Sequence, residues 1–470
     1  RDLLTLSRFE VAIVMNALER RSVAALASVY AMRMLGLFMV MPVFVLLGEG
    51  LQGATPALLG LAIGAYGLSQ ALLQIPFGLL SDRVGRKPMI YLGLLLFAGG
   101  SLLAGAADSI YLVIAGRMLQ GAGAIASVLM ALLSDLTREE ERTKAMAVVG
   151  MSIGVSFSVS LVLGPVLGSL WGLSGLFYVT AGLALVALVI VGRVVPTPRQ
   201  HKASADALPA RQMLVRVLTE GRLLRLDFGI FALHLVLTSL FLVVPVFLEQ
   251  RLGLAGSDHW WFYLSVMATS FFAMVPFIII GEKKRKMKAV LCGAVALLTL
   301  SAAALLLSGH SLVGTWAVLF AFFMAFNLLE ATLPSLVSKE APAAGKGAAM
   351  GVYSTSQFLG AFIGGALGGL LQESVGIPGV IGLMVLVLLS WLVVALTMPA
   401  PGYTTSFVVQ LKEAADGSYG AVDQCLRGLP GVQDVVILKD EATAYLKVDR
   451  QHFDEQSLAG LAFVRQGSNS

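Results

Sequence analysis

Five side chains stand where an ionisable or amide group is costly: Arg33, Arg117, His234, Asn327 and Glu330 each interrupt a long apolar run. Placing such a group at bilayer depth costs about 3 kcal/mol on insertion scales, so each needs a reason, and an ion or proton pathway is the usual one. Glu330 is the sharpest candidate for proton chemistry. Apolar burial favours a neutral carboxyl and a nearby cation favours a charged one, so its charge changes as its access changes. Asn327 lies one turn earlier in the same run, and Arg33 and Glu330 sit on the same side of the middle of theirs, so the two are expected to face one another. Arg117 reads equally well as a tie between loops or backbone within its own bundle, and His234, two turns into its run, as a packed core residue. Tyr66, Gln74, Tyr353 and Gln357 are further polar candidates that helix-to-helix hydrogen bonds also explain.

Other chemistry finds no residues to carry it. No Walker loop, hydrolase elbow or paired metal ligands occur, and Cys292 and Cys425 are far apart in setting, so enzymatic turnover, a metal centre and a resident cofactor are not expected. The 470 residues are 57% hydrophobic and 13% charged, with a mean hydropathy of +0.85. Those figures describe a chain solvated mostly by lipid. A net charge of only +5 gives no case for nucleic acid.

The elements that must position the five residues are twelve apolar runs between Ala24 and Met398, each long enough to cross a bilayer core of about 30 Å as a helix. The first follows about twenty polar residues without a small-residue cleavage site and is expected to be a permanent span. Of the 33 Lys and Arg, 30 fall in the segments that alternate with the start of the chain. By the positive-inside rule both termini face the cytoplasm. The organisation read from these runs is an N-terminal segment (1–23), a six-helix half (24–194), a linker (195–225), a second six-helix half (226–398) and a soluble tail (403–470). In the linker, Leu214, Val215 and Leu218 with Arg211, Arg216 and Arg222 suit a helix on the membrane surface. Two echoes 200 residues apart point to duplication: Pro76-Phe77 with Asp82-Arg83 and Arg86 against Pro276-Phe277 with Glu282-Lys283 and Lys286, and Gly164 with Gly168 against Gly364 with Gly368. The tail reads β-α-β-β-α, a ferredoxin-like unit with its last strand short or missing, and its lone Cys425 disfavours a soft-metal site.

Between the second and third runs stands Gly78-Leu79-Leu80-Ser81-Asp82-Arg83-Val84-Gly85-Arg86-Lys87-Pro88, which resembles the signature loop of the major facilitator superfamily. A basic loop alone explains Arg83, Arg86 and Lys87 but not the spacing of Gly78, Asp82 and Gly85. Gly116 to Ala124 resembles the fourth-helix motif of that family. Gly154 with Gly164-Pro165-Val166-Leu167-Gly168 resembles its antiporter motif, although close helix packing and a proline bend account for the same residues locally. Together with Arg33 to Gly36, Leu132 to Glu139 and Arg142 to Met146, the appended tail resembles a bacterial inner-membrane branch of the family.

That resemblance implies an all-α membrane fold of two six-helix halves plus a small α+β tail, working by alternating access. It implies a proton-coupled carrier, driven by the proton gradient, that exports a small molecule, with Asp82 latching the outward-facing state against the start of the eleventh helix near Gly345 to Gly347 and Asp135 nearby. The second-half loop departs from the pattern, since Arg285 replaces the turn glycine and Met287 the second basic residue, which weakens any gating role there. A monomer in a bacterial inner membrane is expected. The rival reading is a sensor or receptor of the same fold whose tail binds a ligand or partner.

Overall fold

The computed structural model describes residues 15–197, 210–308, 311–342, 345–400, 404–411, 419–438, 443–449, 452–454, 456–459 and 461. In the first half, α1 (Ala17–Phe38) and the short α2 (Phe44–Gly48) are followed by α3 (Pro56–Val84), α4 (Arg86–Gly105), α5 (Ile110–Ala122), α6 (Ala126–Asp135) and α7 (Glu139–Arg193). The second half runs from α8 (Ala210–Thr219) through α9 (Gly221–Gln250), α10 (His259–Lys283), α11 (Met287–Ala304), α12 (Leu312–Glu340) and α13 (Lys346–Ser374) to α14 (Ile377–Thr397).

Among the described residues nine helical stretches are long and apolar enough to cross a membrane. One of them, Lys144–Arg193, has 50 residues, more than twice what a span needs, and Gly172 breaks it at φ 66° into two crossings. The two remaining crossings are the least apolar. α1 opens with Glu19, Arg20 and Arg21, and α13 carries seven glycines, five of which, from Gly360 to Gly369, have neighbouring helices pressed against them. These make up the twelve expected. The fourth run is not one straight helix, since residues 123–125 interrupt it between α5 and α6. The first likewise ends at Phe38 and resumes as α2.

The duplication is visible in three dimensions. A β-carbon on Gly164 would overlap the Met39 carbonyl beyond the end of α1, and one on Gly364 would overlap the Leu235 carbonyl of α9, so the same glycines seat α7 on α1 and α13 on α9. Pro76 lies inside α3 and Pro276 inside α10. Gly85 closes α3 with φ 106°, and Arg285 adopts φ 52° at the matching turn, so the second loop keeps the left-handed bend without the glycine.

The halves meet along α3 and α13. Gly67 faces the Phe358 carbonyl, where a β-carbon would stand at 2.6 Å, Gly64 the Phe362 carbonyl at 2.7 Å, and Gly369 the Pro56 carbonyl at 2.7 Å. This seam runs from the middle of the bundle to the end that carries Pro56. Toward the other end, where α13 begins, Gly347 and Gly351 meet nothing within 4 Å. The halves are thus in backbone contact at the Pro56 end, while these two glycines at the end bearing the basic loops touch no neighbour. Phe157 of α7 stacks near Phe323 and Phe326 of α12, at 6.4 and 5.8 Å, and seals the middle.

The linker helix α8 buries Val217 and partly buries Leu214, while Val215 and Leu218 stay exposed. The tail is β1 (Thr404–Gln410), α15 (Tyr419–Arg427), β2 (Val432–Leu438), β3 (Thr443–Asp449) and α16 (Gln456–Ala459), an antiparallel sheet of order β1-β3-β2 over its own core of Val409, Val422, Leu426, Val435 and Leu446. The turn at 439–441 lies outside the described residues. Arg216 on α8 stands 3.8 Å from Asp434, Arg285 4.0 Å from Asp449, and Lys447 donates to the Ala341 carbonyl at 3.5 Å.

Candidate functional site

Two buried polar networks occupy the bundle, one in each half. In the first, Arg33 Nη2 donates to the Tyr66 hydroxyl at 2.8 Å and to Gln70 Oε1 at 2.6 Å, and Gln70 Nε2 donates to Gln74 Oε1 at 2.6 Å. Tyr66, Gln70 and Gln74 recur every four residues, so one face of α3 carries the ladder. The Arg33 guanidinium also lies 5.9 Å from the centre of the Phe97 ring. Arg117 donates from Nη1 to Gln120 Oε1 at 2.9 Å and from Nε and Nη2 to the Ala62 and Ile63 carbonyls at 3.4 and 3.5 Å, with the Tyr66 ring 5.2 Å beneath it. Gln120 in turn donates to Ser101 at 2.7 Å. Tyr66 therefore sits between two guanidinium groups, each 2% exposed, and ties α1, α3 and α5 together.

The expected pairing of Arg33 with Glu330 across the bundle does not occur in this structure. Arg33 turns into its own half because Tyr66, Gln70 and the Phe97 ring meet it there. Arg117 donates all three of its nitrogens to carbonyls and Gln120 within its own half.

In the second half, Glu330 of α12, His234 of α9 and Gln357 of α13 converge. Gln357 Nε2 lies 2.8 Å from His234 Nε2 and donates to Glu330 Oε1 at 3.4 Å, while Glu330 Oε2 stands 3.9 Å from His234 Nε2. Asn327 donates to Ser270 of α10 at 3.3 Å and so faces away from this trio. About 32% of the Glu330 side chain is exposed, but its Oε2 is itself buried and has no hydrogen-bond partner among the described residues. Both carboxylate oxygens of the buried Asp227 and the Tyr353 hydroxyl are likewise without partners. Buried acids left in this condition are unusual, because desolvation of an unpaired charge is costly.

The loop between α3 and α4 is an ion-pair cluster. Arg86 contacts Asp82 at 2.5 Å and Asp135 at 3.2 Å and donates to the Ser81 hydroxyl at 2.6 Å, and Lys87 donates to the Val195 carbonyl at 2.5 Å. Asp82 pairs with Arg86 in this structure. Arg83 is exposed, and Gly78 faces Ser127, where a β-carbon would sit 3.3 Å from the hydroxyl. In the second half the charges are exchanged: Glu282 in the loop receives Lys339 from the end of α12 at 2.7 Å. Close by, Glu19 in the first turn of α1 accepts from the Arg138 backbone N–H, Nε and Nη2 at 3.0, 2.9 and 3.0 Å. The Arg138 side chain above all holds the Glu19 carboxyl down to about 2.

Of the packing motif, Gly164 and Gly168 face the residues between α1 and α2, and Pro165 lies inside α7. Gly154 meets nothing within 4 Å, so close approach is not its role in this structure. Gln70 and Gln120 were not singled out from sequence, although the four-residue spacing of Tyr66, Gln70 and Gln74 carried the signal.

The family model of the Major Facilitator Superfamily matches residues 26–365. The chain is 46% identical to the "Inner membrane transport protein YajR" of Escherichia coli strain K12 over 92% of its own length and 94% of that protein, and 27% identical to the "Multidrug resistance protein MdtH" of Edwardsiella ictaluri over 76% and 90%. Its fold resembles that of a bacterial homologue of the human lysosomal transporter Spinster, solved in an inward-facing and occupied conformation, with a TM-score of 0.65 at 13% identity, covering 82% of this chain and 96% of that one. Twelve spanning helices in two halves related by a 200-residue echo, the Asp82 loop cluster and these likenesses agree: the chain belongs to the Major Facilitator Superfamily of membrane transporters.

Proposed function

We propose that this transporter is a proton-coupled antiporter that exports a small molecule from the cytoplasm of a bacterial cell by alternating access, with both termini on the cytoplasmic side and no resident cofactor. The observation that carries the reading is Glu330: a partly exposed acid grouped with His234 and Gln357 from two other helices, with one buried oxygen left unpartnered. When Glu330 is neutral the site is compatible with apolar closure, and when it is charged the site favours water or a cationic group. Each reorientation of the halves then exchanges a proton for cargo. An imidazole 3.9 Å away supplies a second group that can share the proton. The concentration of cations at the end bearing the basic loops supports calling that end cytoplasmic, and the likeness to multidrug resistance proteins supports export.

Purified protein in liposomes with an imposed pH gradient tests the reading. In Glu330→Gln the size and much of the hydrogen bonding persist but titration is gone, so exchange of cargo continues while gradient-driven accumulation collapses. Full accumulation by that variant would make the carboxyl structural.

A further inference from the structure

At the Pro56 end of the bundle a single acid crosses from one half to the other. Glu373, in the last turn of α13, accepts a hydrogen bond from the backbone N–H of Ala57 at 3.0 Å and another from the Thr55 side chain. Ala57 is the second residue of α3. Pro56 at the first helical position has no N–H to satisfy, the Thr55 hydroxyl accepts from Leu58 at 3.3 Å, and Leu59 donates to the Thr55 carbonyl at 2.8 Å. The one remaining free donor of that first turn is the one Glu373 takes, at the positive end of the helix dipole. A carboxylate three residues into a helix often completes such a cap from within the same helix. Here it comes from a residue 316 positions away, in the opposite half. The bonds from Ala57 and Thr55 hold the Glu373 carboxyl below its ordinary range. Immediately inside this cap lies the backbone seam of Gly60 with Gly365 and Gly369, and of Gly64 with Phe362.

We infer that Glu373 is a gating residue, a latch that caps α3 in trans and holds the two halves together at the end away from the basic loops. The inference rests on the alternating-access reading. When that end opens, Glu373 and the Ala57 N–H separate and each is taken up by water, so the latch biases the resting population without blocking the transition.

The test uses full-length protein in liposomes with Cys292→Ser and Cys425→Ser, spin-labelled at Gln52→Cys and Val375→Cys, two exposed positions of that end on opposite halves. The parent should show mainly one short distance. Glu373→Ala should raise the long-distance fraction about threefold, the scale expected for a carboxylate at an exposed helix N-terminus. Glu373→Gln, which keeps an acceptor but no charge, should fall between, and Thr55→Val should shift in the same direction as Glu373→Ala. Gly60→Leu, which splits the seam, is the control for opening. If Gly60→Leu lengthens the distance and Glu373→Ala leaves it unchanged, the latch is wrong while alternating access stands. If even Gly60→Leu leaves one short distance, that end does not open, and the latch falls together with the reading beneath it.

Discussion

The two halves descend from one pattern yet treat their buried polar groups in opposite ways. In the first half, Arg117 gives all three nitrogens to carbonyls and Gln120, and Arg33 gives Nη2 to Tyr66 and Gln70 at the head of a ladder that continues to Gln74, with its Nε and Nη1 left without partners among the described residues. In the second half, acids and an imidazole are grouped with Asp227, Glu330 Oε2, His234 Nδ1 and the Tyr353 hydroxyl left without partners among the described residues. A cation bonded at every nitrogen, as Arg117 is, fixes the relative position of helices, whereas an unpartnered acid is left free to change charge or take a ligand. The difference sets cations bonded mostly within one half against acids left unpartnered in the other.

The largest test of this contrast is to remove one member from each network. Arg117→Met strands Gln120 and two carbonyls and should cost about 3 kcal/mol, read as a lower thermal midpoint in detergent. Asp227→Asn replaces an unpartnered buried carboxylate with a neutral group of the same shape, so stability should hold or rise by about 1 kcal/mol while transport is impaired. Equal losses of stability in the two variants would erase the distinction.

The loops sharpen it at a smaller scale. Gly85 sits at φ 106° and ψ 150°, a region open essentially to glycine alone, so Gly85→Leu should cost about 1 to 3 kcal/mol and reduce flux. Arg285 strains the equivalent turn at φ 52°, so Arg285→Gly should gain up to about 1 kcal/mol and leave flux intact. If both loops respond alike, they are equal partners in gating. The smallest effect is expected at Glu19. Its carboxyl is lowered in the fold, so its ion pair with Arg138 stabilises above the ordinary carboxyl range, and that contribution disappears as pH falls from 4.5 toward about 2. Glu19→Gln should lack this component of the acid-induced drop in melting midpoint, and an identical drop in both proteins would assign it elsewhere.

Sequence carried the depth of each residue well and its direction poorly. A rise of about 1.5 Å per residue placed Arg33 and Glu330 at similar heights, but which way a side chain points depends on how its helix is rotated against its neighbours. Arg33 therefore faces Tyr66 and Phe97 instead of Glu330, and Asn327 faces Ser270. The number of crossings followed from run length, whereas the break at Gly172 and the interruption at 123–125 depend on single backbone torsions that hydropathy does not register. Gly164 and Gly154 look alike in sequence, yet one is pressed against the Met39 carbonyl and the other faces open space. Glu373 gave no signal at all, since an acid at a helix end is ordinary until its partner 316 residues away is known.

Three described contacts join the tail to the membrane bundle and its linker helix. Arg285 and Ala341 belong to the second half, and Arg216 to the helix packed on it. On the alternating-access reading proposed above, these ties join the tail to the second half, so that a small rotation in the membrane is read out as a longer displacement of the tail. A fluorophore on the exposed Cys425 would serve as the hand of that clock.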